Sequence, residues 1–331
     1  MRRRIRAAAL AAALLSAALV VTACGGRETE DSSTTEPTNR YDLVESSESE
    51  LPVDLMLNFN IANINGKYRS DTLEAPYTGG EVTAEVQMSQ AGVEELPVQF
   101  LTFLDGVLQP FCLDGGEEGQ SHTITMPQGS ENHTVSFTPG IVKPGEPVTL
   151  TIVGLFGFTE KLTADSFAYR AISPAVCLGF SVNLIADSSL EAKEGPDFAP
   201  EAPALTLGEI QYHLDTREGL EGQSSGYYFS YDPDTPEDFP EWFLPVSGEP
   251  GRHRTILLMD GEPVPAFGGE YYLDWESSTA EESYVFPLDL SFLPAEGSHN
   301  LYSVTIDLEM DLKSISRSIC WGGEAVTVEA V

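Results

Sequence analysis

Basic residues are scarce in this 331-residue chain: 17 Lys and Arg stand against 52 Asp and Glu, a formal net charge of -35. Nucleic-acid binding draws most of its affinity from basic groups that displace condensed counterions, so this balance excludes DNA and RNA as partners. Helical periods are few, and no segment beyond the first 21 residues is apolar enough to cross a membrane. Catalytic signatures are missing too. The five histidines, His122, His133, His213, His253 and His299, have neither the H-E-x-x-H spacing nor the paired-Cys spacing of zinc sites. There is no phosphate loop, no dinucleotide fingerprint and no Ser-x-x-Lys pair. Gly222-Gln223-Ser224-Ser225-Gly226 matches the G-x-S-x-G of serine hydrolases. A nucleophile elbow needs an apolar strand before the Ser and a helix after it. Here a polar, Gly-broken stretch precedes and Tyr227 to Tyr231 follows as a strand, so the match reads as a Gly/Ser loop.

What is present begins with an ordinary globular composition, 41% hydrophobic and 21% charged residues, on a length that suits roughly two domains. Arg2, Arg3, Arg4 and Arg6 precede an apolar run from Ala7 to Val21, the design of a secretory signal. The run ends on Val21-Thr22-Ala23-Cys24-Gly25-Gly26. This stretch resembles the lipobox of bacterial lipoprotein precursors: an aliphatic residue, two small residues and a Cys. The resemblance implies that residues 1–23 are removed and that Cys24 is lipidated as the first residue of the mature protein. Two acyl chains there give stable anchoring where one gives only marginal binding. The expected partner is therefore the membrane, through Cys24, and the expected location is the extracytoplasmic face of the cell membrane. Loss of four arginines would leave 13 basic against 52 acidic residues, so the acidity belongs to the mature surface.

Residues 25–50, rich in Glu, Ser and Thr and nearly free of aliphatic side chains, bury too little to offset ordering entropy. With Cys24 they read as a disordered acidic tether with a root-mean-square reach of roughly 28 Å.

From residue 51 the chain is punctuated like strands: short runs of Val, Ile, Leu, Thr, Phe and Tyr between Gly, Pro, Asp and Asn. Internal repetition is legible in the same region. Leu101-Thr102-Phe103-Leu104-Asp105-Gly106 aligns at an offset of 155 with Ile256-Leu257-Leu258-Met259-Asp260-Gly261. The same offset carries Ser136-Phe137-Thr138-Pro139 onto Ser291-Phe292-Leu293-Pro294. One residue of slippage sets Thr151-Ile152 on Thr305-Ile306, and Cys177 falls on Cys320. The predicted fold class is all-β: two tandem, related β-sandwich domains of immunoglobulin-like size, at 51–190 and 204–331, joined by an acidic, Pro-rich linker at 191–203. A single larger barrel is the competing architecture. Asp105-Gly106 and Asp260-Gly261 are predicted as tight hairpin turns, because Gly tolerates positive φ.

Cys112, Cys177 and Cys320 can form one bridge at most. Equivalent places in apolar strands make Cys177 and Cys320 small buried hydrophobes, and Cys112 with Cys177 is the bridge to test. Asp232, Asp234 and Asp238 lie in a carboxylate-rich loop that suits hard cations, so calcium is the one cofactor left open, although the EF-hand pattern fails. Residues 227–275 hold 11 aromatic residues, against four in the matching window 72–120. Strand alternation cannot place all of them on one face. Tyr228, Trp242, Tyr272 and Trp275 are therefore the candidate ligand-binding rings, suited to a glycan or a protein partner. The function read from the sequence is a membrane-anchored, non-catalytic surface lipoprotein that serves binding, adhesion or spacing. The alternative is a carbohydrate- or substrate-capture lipoprotein using these rings.

Overall fold

The computed structural model describes residues 55–157, 176–208, 214–220, 228–235, 240–309, 312, 320–322 and 325–331. Cys24 and the tether, the Gly222–Gly226 loop, His213 and Asp238 lie outside them. Residues 50–331 belong to one compact unit.

The protein is all-β. Its first half contains β1 (Met56–Ile64), β2 (Glu74–Tyr77), β3 (Val82–Leu104), β4 (Val107–Leu108), β5 (Phe111–Leu113), β6 (Glu118–Gly119), β7 (His122–Phe137), β8 (Pro147–Phe156) and β9 (Val176–Ala186). The second contains β10 (Leu205–Leu207), β11 (Asp215–Thr216), the single-turn α1 (Arg217–Leu220), β12 (Tyr228–Tyr231), β13 (Trp242–Val246) and β14 (Gly251–Met259). It continues with β15 (Glu262–Pro263), β16 (Tyr272–Ser277), β17 (Ser283–Pro287), β18 (Ser298–Asp307), β19 (Cys320–Gly322) and β20 (Val326–Ala330).

In the first half one sheet, ordered β2-β9-β8-β3-β7-β5-β6 with β1 and β4 also on β3, supplies both layers of a sandwich. Two long strands make this work. The start of β3 pairs with β1 and with the end of β7, whereas its later part pairs with β8 and with the start of β7. Between these parts the β3–β7 register breaks from Gln90/Gly129 to Glu95/Pro127. Gly92 and Gly129 sit there at φ 120° and 127°, in the region glycine tolerates, so the ladder bends and both strands cross from one layer to the other. Phe59, Ile61, Val82, Val86, Phe100, Leu150, Ile152 and Val182 fill the space between the layers.

The second half uses two separate sheets. One runs β12-β20-β18-β14-β15, with β16 on β14 and β19 on β18; the other runs β10-β17-β13-β11. Trp242, Leu244 and Phe286 from the smaller sheet meet Leu257, Leu273, Trp275, Leu301 and Val328 from the larger.

The ladders of the two halves match. Leu101↔Val153 and Phe103↔Thr151 between β3 and β8 correspond to Ile256↔Val304 and Leu258↔Tyr302 between β14 and β18. Val98↔Ile124 corresponds to His253↔Trp275, and Leu155↔Cys177 to Ile306↔Cys320. The offset of 155 thus holds from β3 to β14, and Cys177 and Cys320 are equivalent. The offset from β8 to β18 is 151, so the expected match of Thr151-Ile152 with Thr305-Ile306 is corrected by three residues. An odd slip exchanges the two faces of a strand: Ile152 belongs to the inner core and Ile306 does not. The match of Ser136-Phe137 with Ser291-Phe292 also fails, since the first pair ends β7 and the second lies in a turn.

Both expected Asp-Gly hairpins form. Asp105 and Gly106 have φ 45° and 75°, Asp260 and Gly261 have 49° and 98°, and Asp114-Gly115 repeats the pattern at 52° and 73°. In each turn the Asp backbone N–H donates to a carbonyl on the adjacent strand, and its carboxylate accepts from that same residue's N–H. The partners are Thr149, Asn300 and Thr134 in turn.

Candidate functional site

The strands that carry the repeated apolar motif are buried on both faces, which is why they read as continuous apolar runs rather than alternating ones. Phe100 and Leu104 point into the first sandwich, and Leu101 and Phe103 point away from it. The outward residues join Val153 and Leu155 and meet Ile256, Leu258, Tyr302, Val304 and Ile306 from the matching strands of the second half. A third apolar layer therefore lies between the halves.

Contacts across this layer are reciprocal, as in a two-fold interface where one patch meets its own equivalent. A Cβ on Gly106 would lie 3.4 Å from Arg254 Cβ; a Cβ on Gly261, the equivalent glycine, would strike the side chain of Gln99, the equivalent of Arg254. Gln99 is buried, accepts a 2.5 Å hydrogen bond from the Tyr302 hydroxyl and donates to Ser121. Burial pushes the Tyr302 phenol well above its ordinary value, so it remains a donor; the Gln99 bond opposes this only in part. From the other side, the Leu108 N–H donates to the Tyr272 hydroxyl at 3.2 Å.

The junction also holds a buried ion pair. Arg254 donates to both carboxylate oxygens of Asp274, Nε to Oδ1 at 2.6 Å and Nη2 to Oδ2 at 2.8 Å, and its side chain is only 4% exposed. Its guanidinium lies 5.3 Å from the Tyr272 ring centroid and also donates to the Asp197 carbonyl. Burying such a pair gains little by itself, but removing one partner strands a charge in low dielectric.

A cleft of about 810 Å³ opens along this edge, lined in part by Asp105, Lys143, Lys193, Asp197, Arg252 and Arg254. Four of the seven described Lys and Arg residues gather here, and each is engaged within the protein. Lys143 pairs with Asp105 at 2.7 Å, Arg252 pairs with Glu309 at 2.7 Å and lies over Phe198, and Lys193 donates to the Pro139 carbonyl. Lys193 ties the connecting segment to the first half, and Arg252 and Arg254 tie it to the second. That segment, residues 191–203, is bound to both halves: Lys193 bridges Val142, while Ala199 and Glu201 donate to the Asp274 carboxylate and carbonyl.

The sequence-predicted ring site is dispersed. Trp275 is 0% and Trp242 1% exposed; both are core side chains, and the Trp275 indole N–H donates to Thr255. Buried rings present no face to a sugar, which withdraws these two as a platform. Tyr272 belongs to the contact between the halves, where burial raises its phenol despite the Leu108 hydrogen bond and the nearby Arg254 charge. Tyr228, half-buried on β12, donates to Glu329, and this hydrogen bond raises its phenol. Trp242 and Asp232 border a second cleft, of about 570 Å³, which Tyr231 and Leu293 also line. Exposed large hydrophobics among the described residues are Met56, Tyr271 and Val331. Asp232 and Asp234 are exposed, and the Asp232 carboxylate accepts from the Asp234 N–H in a local turn; Asp238 lies outside the described residues. Among the described residues no group of three or more His, Cys, Asp or Glu is placed to hold a metal.

Sequence reasoning missed Gln99, Arg254 and Asp274. Arg254 interrupts the apolar run of β14, and Asp274 sits between Leu273 and Trp275; a charge inside each of two buried strands was the available signal. It also dismissed the one close thiol pair: Cys177 and Cys320 approach with Sγ atoms 3.2 Å apart, while Cys112 lies on β5 without either.

No protein-family model and no curated protein matches the chain. Among solved structures it is similar to the major pilin subunit BcpA of Bacillus cereus, at 10% identity and a TM-score of 0.25, covering 75% of this chain and 59% of the pilin. It is also similar to the CsuC–CsuE chaperone–tip adhesion subunit complex of Acinetobacter baumannii, at 12% identity and a TM-score of 0.22, covering 83% of this chain and 99% of that one. A third likeness is CBD12 from CALX1.2, at 11% identity and a TM-score of 0.20, covering 78% and 83%.

Proposed function

We propose that the chain is a non-catalytic surface lipoprotein, anchored through Cys24 on the extracytoplasmic face of the cell membrane, whose double sandwich serves as a stiff spacer or interaction module. The carrying observation is the junction. A continuous apolar layer and a strapped connecting segment join the halves, the buried Arg254–Asp274 pair holds that segment, and the four cations of the 810 Å³ cleft are committed to internal partners. A body built this way suits holding a surface at a distance better than closing on a small molecule. Among the described residues no helix is long and apolar enough to cross a membrane, so attachment in this reading comes from the lipid. The test is incorporation of radiolabelled palmitate by cells producing the full chain, beside Cys24→Ala. Label on the parent protein, with loss of label and release from the membrane fraction in the variant, is the expected result. A parent chain that takes no label ends the anchoring reading.

A further inference from the structure

Two of the three cysteines beyond Cys24 meet where the halves touch. Cys177 stands at the start of β9 opposite Leu155, and Cys320 at the start of β19 opposite Ile306; Leu155 and Ile306 are in the apolar layer shared by the halves. In a two-fold arrangement most residues meet something other than their equivalent, as Gly106 meets Arg254 and Gly261 meets Gln99. Only positions on the axis meet themselves, and the cysteines do so. Equivalence, which in the sequence marks the two as small buried hydrophobes, is what brings them together.

We propose that Cys177 and Cys320 form a disulfide that bolts the two halves of the protein together. The Sγ atoms are 3.2 Å apart, and a bond requires about 2.0 Å, a closure of roughly 1.2 Å between two side chains at strand ends. The oxidant is a small-molecule or protein disulfide. The thiolate of Cys177, the more accessible of the two, attacks one of its sulfurs and expels a thiolate; Cys320, deprotonated, then attacks the Cys177 sulfur of the mixed disulfide and expels the second. Two protons and two electrons leave the protein, one S–S bond forms, and the reagent departs as two thiols. The Cys320 contact and burial raise the Cys177 thiol, so thiolate is scarce at neutral pH and the exchange accelerates as pH rises. Cys112, on the far strand β5, stays reduced.

Occurrence of the bridge in the cell rests on the exported location proposed above, but its formation does not. The reduced full chain is incubated in detergent with oxidised glutathione, denatured in N-ethylmaleimide, digested and mapped by mass spectrometry. The expected product is a Cys177 peptide joined to a Cys320 peptide, two hydrogens lighter than the pair, with Cys112 alkylated. Alkylation of both Cys177 and Cys320 at equilibrium, or Cys112 taking the place of either, overturns the proposal. Because the bond closes a loop of 143 residues, the oxidised chain is expected to melt on the order of 10 °C above the reduced one. Dithiothreitol should reverse the shift, and Cys177→Ser should abolish it. Linkage without any rise overturns the bolting role. A chain that forms the bridge with glutathione but takes no palmitate sinks the anchoring reading alone. Free Cys177 and Cys320 in palmitate-labelled protein, quenched at lysis, overturn the bridge in the cell.

Discussion

The two halves share one ladder and solve the covering of its inner face differently. In the first half the sheet bends over itself, and aliphatic and Phe side chains fill the interior, with Phe59 lying over Gly154 where a Cβ would come within 2.8 Å of its ring. In the second half a separate four-stranded sheet provides the cover. The position equivalent to Gly154 is Thr305, whose hydroxyl bonds to Thr255, which in turn accepts from the Trp275 indole. Val98 and Ile124 of the first half are replaced by His253 and Trp275, stacked with ring centroids 4.4 Å apart. The excess of aromatic residues in the second copy is therefore largely the filling of a sheet-on-sheet space. The outward faces, which meet each other in one shared layer, are mainly aliphatic in both copies, with Phe103 in the first and Tyr302 in the second.

The sharpest way to break this comparison is to truncate the equivalent residues Trp275 and Ile124. Trp275→Ala should cost about 3–5 kcal/mol, since a fully buried indole leaves a large cavity and takes one of its hydrogen bonds from the Thr255 hydroxyl. Ile124 is only half-buried, so Ile124→Ala should cost roughly 1–2 kcal/mol. Denaturant midpoints of the full chain measure both. Equal losses would mean that the second half does not depend on its rings.

A smaller effect isolates the junction. Gly106 and Gly115 follow Asp in turns of nearly the same shape, at φ 75° and 73°, but a Cβ on Gly115 meets nothing within 4 Å. Gly115→Ala should cost about 1 kcal/mol for backbone conformation alone. Gly106→Ala adds a collision across the junction with the terminal methyl group of Leu308, 2.5 Å from the new Cβ, which has to yield, while Arg254 at 3.4 Å stays in ordinary contact. The extra loss should be on the order of 1–3 kcal/mol. Equal thermal or denaturant shifts for the two variants would argue that the halves do not press on each other at this turn.

Much of this fold is written locally. The run Leu101 to Gly106 and its counterpart announce a strand buried on both faces and a turn that needs positive φ, and both features follow from the residues themselves. The register of β8 against β18 does not, because Thr-Ile occurs in both strands and only hydrogen bonding to β3 and β14 decides which residues correspond. The rings were legible in number but not in destination: alternation says that Tyr271 and Tyr272 diverge, and Tyr271 is indeed exposed, but it cannot say that the other side faces a second half of the molecule. The cysteine pair was hidden for the same reason. Equivalence along the chain is a property of sequence, whereas lying on the axis between copies is a property of how they pack.

The smallest expected effect concerns the third Asp-Gly turn, which belongs to the first half only. Asp114 accepts from Thr134 N–H at 2.7 Å and from His133 Nδ1 at 2.7 Å, in the same clasp that Asp260 makes with Asn300 and His299. Burial by itself raises the Asp114 carboxyl, but the hydrogen bonds from His133 and Thr134 and the attraction of His133 outweigh it and bring the group below its ordinary 3.8. A carboxyl depressed in the folded state stabilises above its unfolded value, and that contribution disappears as pH falls through the folded one. The side chain is 50% exposed, so water screens the pair and the whole contribution should not exceed about 1 kcal/mol. The stability difference between the parent and Asp114→Asn, from urea midpoints over a pH series, should be steady from neutrality to about pH 5 and shrink below it. A difference that stays constant into strong acid would mean that the clasp works through the backbone hydrogen bond alone. Charge would then add nothing to a turn whose shape Asp-Gly already dictates.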